Sequence, residues 1–481
     1  MTELDAVVIG AGPNGLAAAV TLARAGLSVA VYERAETIGG GARTAELTLP
    51  GFRHDICSAV HPMALASEFF QRFGLHERVE LVVPELSYGH PLDRGRAGLA
   101  WLDLARAADD LGRDGRAWTR LFDPLVEHAD AVGQFTGGSL LRLPRHPITA
   151  ARFGLRALEQ GSPLWNLRFH DDVAPAMLAG VAAHAILPMP SLSTAGVALS
   201  LGTYAHARGW PIPVGGSQAI VDAMAADLLA HGGVIHTGVS VSTLAELPTH
   251  RVAVFDTDVQ AMKRIASLPD GYARRFRFGN AASKVDFALS GPVPWANDEL
   301  RAAGTLHLGG TRAEISAGER EVAAGRHPAS PYVLVSQPST FDPSRAPAGQ
   351  HVLWAYTHVP AGSTTDAAEA ITAQIERFAP GFRDLILASS SRTATELEAY
   401  NPNYLRGDIA AGAAGFDQLL ARPVLRPDPW RTPKRGVYLA SSSASPGPGV
   451  HGLVGWHAAR SALRHEFGVT DPIDLSPVGH T

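Results

Sequence analysis

The sequence predicts an α/β fold with a Rossmann-type parallel sheet. Three observations predict it. A β-branched run opens the chain, a glycine turn leads from it into an alanine-rich helix, and a second β-branched run ends on an acid. Leu4 to Ile9 (Leu-Asp-Ala-Val-Val-Ile) reads as a short β-branched strand of the kind buried in a parallel sheet. Gly10-Ala11-Gly12-Pro13-Asn14-Gly15 follows at once; the helix runs from Leu16 to Ala25, and Gly26 stops it. Leu27 to Tyr32 is the second strand, with Glu33 at its carboxyl end.

This order of elements makes the glycine pattern a dinucleotide site. Gly10 serves the tight turn, Gly12 the approach of a pyrophosphate, and Gly15 the packing of helix on strand. The free amides and positive dipole end of the helix hold the phosphate, with Pro13 and Asn14 inside the turn. Glu33, eighteen positions after Gly15, is placed to accept the two ribose hydroxyls, with Arg34 beside it. A second turn, Gly39-Gly40-Gly41-Ala42-Arg43-Thr44, decides which dinucleotide. A nicotinamide cofactor needs no such turn. An extended flavin does, since its pyrophosphate and ribityl chain cross further backbone, and Arg43 can fork to a phosphate. The expected cofactor is FAD, contacted by Gly40, Gly41 and Arg43.

Composition sets limits on the rest. The chain has 481 residues, room for two domains, and a net charge of −5 that points away from nucleic acid. Cys57 is the only cysteine, which excludes an internal disulphide and a C-x-x-C redox centre. No metal-ligating cluster, nucleophile elbow or second dinucleotide fingerprint occurs; Gly215-Gly216-Ser217 lacks the spacing. NAD(P) is therefore expected only as a transient partner. No signal-peptide pattern precedes the first strand, so the expected location is cytoplasmic, with peripheral membrane contact as an option.

Leu102 to Leu158 reads as helical, with Arg142, Arg145, Arg152 and Arg156 near its end as a solvated face or a contact for lipid headgroups. Val173 to Ala207 carries no Asp, Glu, Lys or Arg, and Pro175, Pro188 and Pro190 break it too often for a membrane span. It reads as two buried helices, as the wall of an apolar tunnel or as a face on a bilayer; these readings are compatible. Ala219 to Leu229 is a helix, Val234 to Val241 a strand, and Val252 to Asp256 another buried strand. From Ser283 to about Gly415 the pattern turns to antiparallel strands: Lys284 to Leu289, Gly304 to Leu308, Tyr332 to Gln337 and His351 to His358. Period-two spacing puts Trp354, Tyr356 and His358 on one face, either roofing a flavin or packed within the sheet. His61 and His451 are candidate general acids or bases, or structural histidines.

At the far end, Gly436 to Ser443 reads as a strand, Pro446 to Gly452 as a glycine turn and Gly455 to Leu463 as a helix. With the two amino-terminal turns, this resembles the flavoprotein superfamily of phytoene desaturases, protoporphyrinogen oxidase and amine oxidases. Within it, the chain is similar to the branch of pyridine nucleotide-disulphide oxidoreductase domain-containing protein 2. The resemblance implies a Rossmann-type FAD domain, residues 1–85, 210–282 and 416–481, with a mixed α+β substrate domain inserted, residues 86–209 and 283–415. It implies FAD contacts at Val241, Ser442, Gly449, Val450 and His451, and a shared turn at Asn401-Pro402-Asn403 and Gly407-Asp408. Three positions depart from its pattern: Ser441 and Pro448 where many relatives carry glycine, and Gly41 where amine oxidases carry arginine. The implied activity is a dehydrogenase, desaturase or saturase moving hydride between flavin and a small hydrophobic substrate, isoprenoids included, with oxygen, a quinone or NAD(P) as electron partner. An amine or alcohol oxidase is the alternative, and a non-catalytic relative of the GDP dissociation inhibitors is the alternative of another class.

Overall fold

A computed structural model of the chain describes residues 3–477. Strand Leu4–Ile9 lies at the centre of a five-stranded parallel sheet, flanked by His250–Phe255 and Val29–Tyr32, with Val437–Leu439 and Val234–His236 at the edges. The sheet thus draws on the beginning, middle and end of the chain. Ala6 to Ile9 pair with Val252 to Phe255 on one side and Val29 to Tyr32 on the other, and almost all are fully buried. That environment is what an uninterrupted Val/Ile run satisfies.

Helix Pro13–Arg24 starts on a proline, which costs nothing at a position whose N–H has no helical partner. Helix Leu453–Ala462 crosses it through Gly455, where a side chain would run into the Asn14 carbonyl. These two helices, from opposite ends of the sequence, are thereby packed against each other.

The edge strands are shorter than their sequence suggests. Val234 to Val241 pairs only as Val234–His236, because Gly238 takes a left-handed conformation (φ 70°) and turns the chain back to bond at Ala35. Gly436 to Ser443 pairs only as Val437–Leu439 before bending into the next turn.

A second, seven-stranded sheet runs in the order Ile386–Arg392, Ala281–Leu289, His351–Val359, Val333–Ser336, Thr305–Leu308, Leu86–Pro91, Ala97–Trp101. It is antiparallel apart from the parallel contact between Thr305–Leu308 and Leu86–Pro91. The first strand, Ile386–Arg392, and the last two went unread in the sequence; in and between the last two, Gly89, Pro91, Gly95 and Gly98 interrupt any alternation. Along Ala281–Leu289 and His351–Val359, Val285, Phe287, Leu353 and Ala355 enter one apolar cluster. Trp354 and Tyr356 enter another on the opposite face. The alternation is that of a sheet covered on both sides.

Helices Val173–Ala182 and Leu192–Ala207 are the two apolar pieces of the uncharged stretch and pack on this second face. Among the described residues no helix is long and apolar enough to cross a membrane.

Candidate functional site

The carboxyl ends of the central parallel strands open into one cavity of about 1090 Å³. That exceeds the roughly 300–1,000 Å³ of a pocket for one small ligand, so it has room for an extended cofactor and a substrate together. Its polar end is walled by Gly10, Gly12, Pro13, Asn14, Glu33, Arg34, Gly40, Gly41, Arg43 and Val241. Ser442, Gly449, Val450 and His451 wall it further along. Gly15 lies beneath this wall and gives its N–H to the Asp256 carboxylate oxygen at 2.9 Å.

Glu33 is held rather than free. Its Oε2 accepts the Ala11 N–H at 2.8 Å and its Oε1 the Ala35 N–H at 2.9 Å, which ties the acid to the glycine turn. Arg43 is buried, with 6% of its surface exposed, and donates to the carbonyls of Thr37 and Ile38 and to the Tyr400 hydroxyl. In this arrangement it braces the second glycine turn.

Asp256 is the residue that sequence reading missed. It ends strand His250–Phe255 as Glu33 ends Val29–Tyr32, and that parallel was the available signal. Its carboxyl lies against the first glycine turn, so close that a Cβ on Gly12 would stand 2.5 Å from Oδ2. Burial pushes this carboxyl up to about 8; the nearby Glu33 charge adds to the rise, and the N–H groups of Gly15 and Gly12 oppose it. The raised value favours the protonated carboxyl near neutral pH, which removes one negative charge from beside the glycine turn.

Of the four candidate acid–base residues, His61, Tyr356 and His451 line the cavity. His451 has both ring nitrogens engaged: Nδ1 accepts the Leu453 N–H at 3.0 Å and Nε2 faces the Gly447 carbonyl at 3.3 Å. His61 differs. Its Nε2 lies 2.8 Å from the Ser217 hydroxyl, whose own hydrogen goes to the Ser58 carbonyl. Nε2 therefore donates, and Nδ1 keeps a lone pair with no partner. Burial pushes His61 down to about 4, which keeps it neutral. His358 shares the face of Trp354 and Tyr356 but sits behind the wall, its Nδ1 2.6 Å from Glu319. Cys57 also lines the cavity, and burial pushes its thiol up, away from a nucleophilic thiolate.

The segment carrying Cys57 and His61 is fixed by buried charge. Arg345 Nη2 lies 2.7 Å from Asp55 Oδ2, both essentially without exposure. Burial alone would raise the Asp55 carboxyl, but Arg345, the Ser217 N–H and the Thr44 hydroxyl together hold it below its ordinary value. Lys284 pairs with Asp286 at 2.7 Å and donates to the Ile56 carbonyl at 2.7 Å. Replacing Arg345 by methionine strands the Asp55 charge. We expect a loss of about 3–5 kcal/mol of stability, read in a denaturant titration of the flavin-loaded protein.

Beyond His61 the wall turns apolar: Phe135, Phe153, Ile186, Leu192, Val197 and Leu201, from the helices around Leu192–Ala207. The charged wall residues (Glu33, Arg34, Arg43, Asp256, Asp258, Arg264, Glu398 and Arg422) belong to other parts of the chain. The polar part suits FAD: a strand-end acid for ribose, a helix amino terminus for pyrophosphate and a long trough past Val241 and Ser442 for the flavin. Gly40 lies so close to Gly12 that a Cβ on it would stand 3.1 Å from the Gly12 Cα, so the two turns form one floor.

Comparison with known proteins agrees with this geometry. The pattern of the family described as flavin containing amine oxidoreductase matches residues 14–463. The rat pyridine nucleotide-disulfide oxidoreductase domain-containing protein 2 is 28% identical, over 96% of this chain and 94% of its own. A phytoene dehydrogenase of Streptomyces griseus is 28% identical over 80% of this chain and 78% of its own. The crystal structure of an oxidoreductase from Methanosarcina mazei shares the fold at TM-score 0.61 and 18% identity, covering 96% of this chain and 100% of that one. A flavin-free binding protein is no longer the reading to keep. The chain belongs to the flavin containing amine oxidoreductase family and is an FAD-dependent oxidoreductase.

Proposed function

We propose that the enzyme is a dehydrogenase or desaturase that takes hydride from a hydrophobic substrate, with residues 1–85, 210–282 and 416–481 holding FAD and the intervening segments holding substrate. The observation that carries this reading is the uncharged wall of Phe135, Phe153, Ile186, Leu192, Val197 and Leu201 at the far end of the cofactor cavity. Such a wall gains by covering apolar surface and offers nothing to a charged group. The Streptomyces griseus phytoene dehydrogenase among the relatives supports the same direction.

FAD supplies the hydride acceptor. The chain supplies orientation and a dry site, through the Trp354 and Tyr356 rings (5.2 Å between centroids) and the apolar helices. His61 Nδ1, neutral and without a partner, takes the proton that leaves as the hydride departs. His451, engaged at both nitrogens, fixes the carboxyl-terminal turn, and Tyr356 orients the substrate. Oxygen, a quinone or NAD(P) would serve as the electron acceptor.

The test is anaerobic bleaching of the bound flavin. Polyenes and other apolar compounds are expected to bleach it, with primary amines and short alcohols inert. Bleaching by amines alone would overturn the reading in favour of an amine oxidase, which the Trp354–Tyr356 pair would serve as an aromatic clamp for a cation. His61→Gln is expected to slow anaerobic bleaching at least tenfold, with flavin content unchanged.

A further inference from the structure

Helix Pro147–Gln160 carries two apolar faces. Thr149, Phe153 and Gln160 point inward and are buried. Outward, Ile148, Ala151, Leu155 and Leu158 recur at spacings of three, four and three, one stripe along the helix, and all are exposed. Ile148 is 69% exposed, Leu155 67% and Leu158 57%. The flanking loops add Leu143 (94%), Leu164 (58%) and Leu167 (76%). A surface helix ordinarily turns polar residues to water, and an apolar cluster of this kind marks a contact.

The same segment is basic in an acidic protein. Between residues 142 and 168 there are five arginines and a single acid, Glu159, which Arg156 and Arg168 already pair. Among the described residues Arg145 and Arg152 have no ion-pair partner, and both are exposed. The cavity also comes to the surface here. Leu158 is both exposed and part of the cavity wall, as is Phe416, whose helix Phe416–Leu420 packs on Leu192–Ala207 as Pro147–Gln160 does.

We infer that this face docks on an anionic lipid bilayer, the leucines entering the apolar layer, the arginines meeting headgroups, and the cavity opening at the contact. A second copy of the chain fits less well, because a two-fold contact on this face would bring two arginine-rich surfaces together. The inference deepens the apolar-substrate reading, but its test uses no substrate, so either can fail alone.

The flavin-loaded protein is sedimented with vesicles of phosphatidylcholine alone and with 30% phosphatidylglycerol added. The expected result is co-sedimentation with the anionic vesicles, weakened by salt. The double variant Leu155→Asp/Leu164→Asp should lose at least tenfold in partition with unchanged flavin content, and Arg145→Gln/Arg152→Gln should lose the preference for phosphatidylglycerol. Unaltered binding by the leucine variant, or no binding to anionic vesicles, overturns the inference. So does a concentration-dependent dimer that the leucine variant dissociates, which would assign the face to a second copy.

Discussion

Replacing Glu33 by alanine should leave the protein folded and nearly colourless. The carboxylate accepts the Ala11 and Ala35 N–H groups, pairs with Arg43 at 3.4 Å, and presents acceptors to the cavity beside Arg34. A hydrogen bond to a charged group is worth about 1.5–3 kcal/mol, so losing the ribose contact alone should weaken FAD binding roughly 10- to 100-fold. Loosening of the Ala11 turn adds to this, because the amides that meet the pyrophosphate lose their reference point. Fluorescence titration of apo-protein with FAD measures the effect, and an unchanged dissociation constant would remove Glu33 from the cofactor site. Circular dichroism separates this loss from unfolding, since strand Val29–Tyr32 is held by its neighbours through pairings that Glu33 does not make.

The second large effect concerns Asp256. Its carboxyl keeps a proton up to about pH 8 in the folded chain, whereas an ordinary aspartate loses it near 3.8. Between those values the folded state binds the extra proton, so this group's contribution is complete below pH 3.8 and is lost as pH rises through about 8. Ionisation also places a negative charge against Gly12 and Gly15, at the proposed pyrophosphate site. Glu33 is the acid that acts on it, and Arg34, Arg43 and Arg264 are cations of the same cavity wall. We expect FAD affinity to fall at least tenfold from pH 7 to pH 9.5 in the native protein. In Asp256→Asn, which keeps the shape and cannot ionise, affinity should stay nearly flat. Equal pH dependence in the two would show that Asp256 has no part in cofactor retention.

Much of the cofactor half was legible in the sequence because its signals are local. A buried parallel strand announces itself as a short β-branched run, here Ala6 to Ile9, and Leu4–Ile9 is observed with the bounds its residues suggest. The glycine turns must sit next to such strands to work, so spacing alone places Gly10, Gly12 and Glu33 at one groove. What escaped was set by three-dimensional context. The Leu86–Pro91 and Ala97–Trp101 strands are built around glycines and a proline, which only their neighbours in the sheet make tolerable. Period two put Tyr356 and His358 on one face but carried no information about depth, and the cavity ends between them. Asp256 read as the end of a strand; its proximity to Gly12 arises from pairing between residues far apart in the chain. The outward leucines near Arg145 and Arg152 looked like ordinary helix content, because sequence does not say which face of Pro147–Gln160 lacks a neighbour.

We propose that one continuous cavity holds FAD at its polar end and presents the flavin ring to an apolar chamber. A crystal structure of the FAD-loaded enzyme is the decisive observation. We expect adenosine ribose on Glu33, pyrophosphate over the Gly10–Gly15 turn, and the ring beside Ser442 and Val450 facing Trp354 and Tyr356. A flavin ring turned to solvent, or a chamber closed off from it by side chains, would rule this arrangement out.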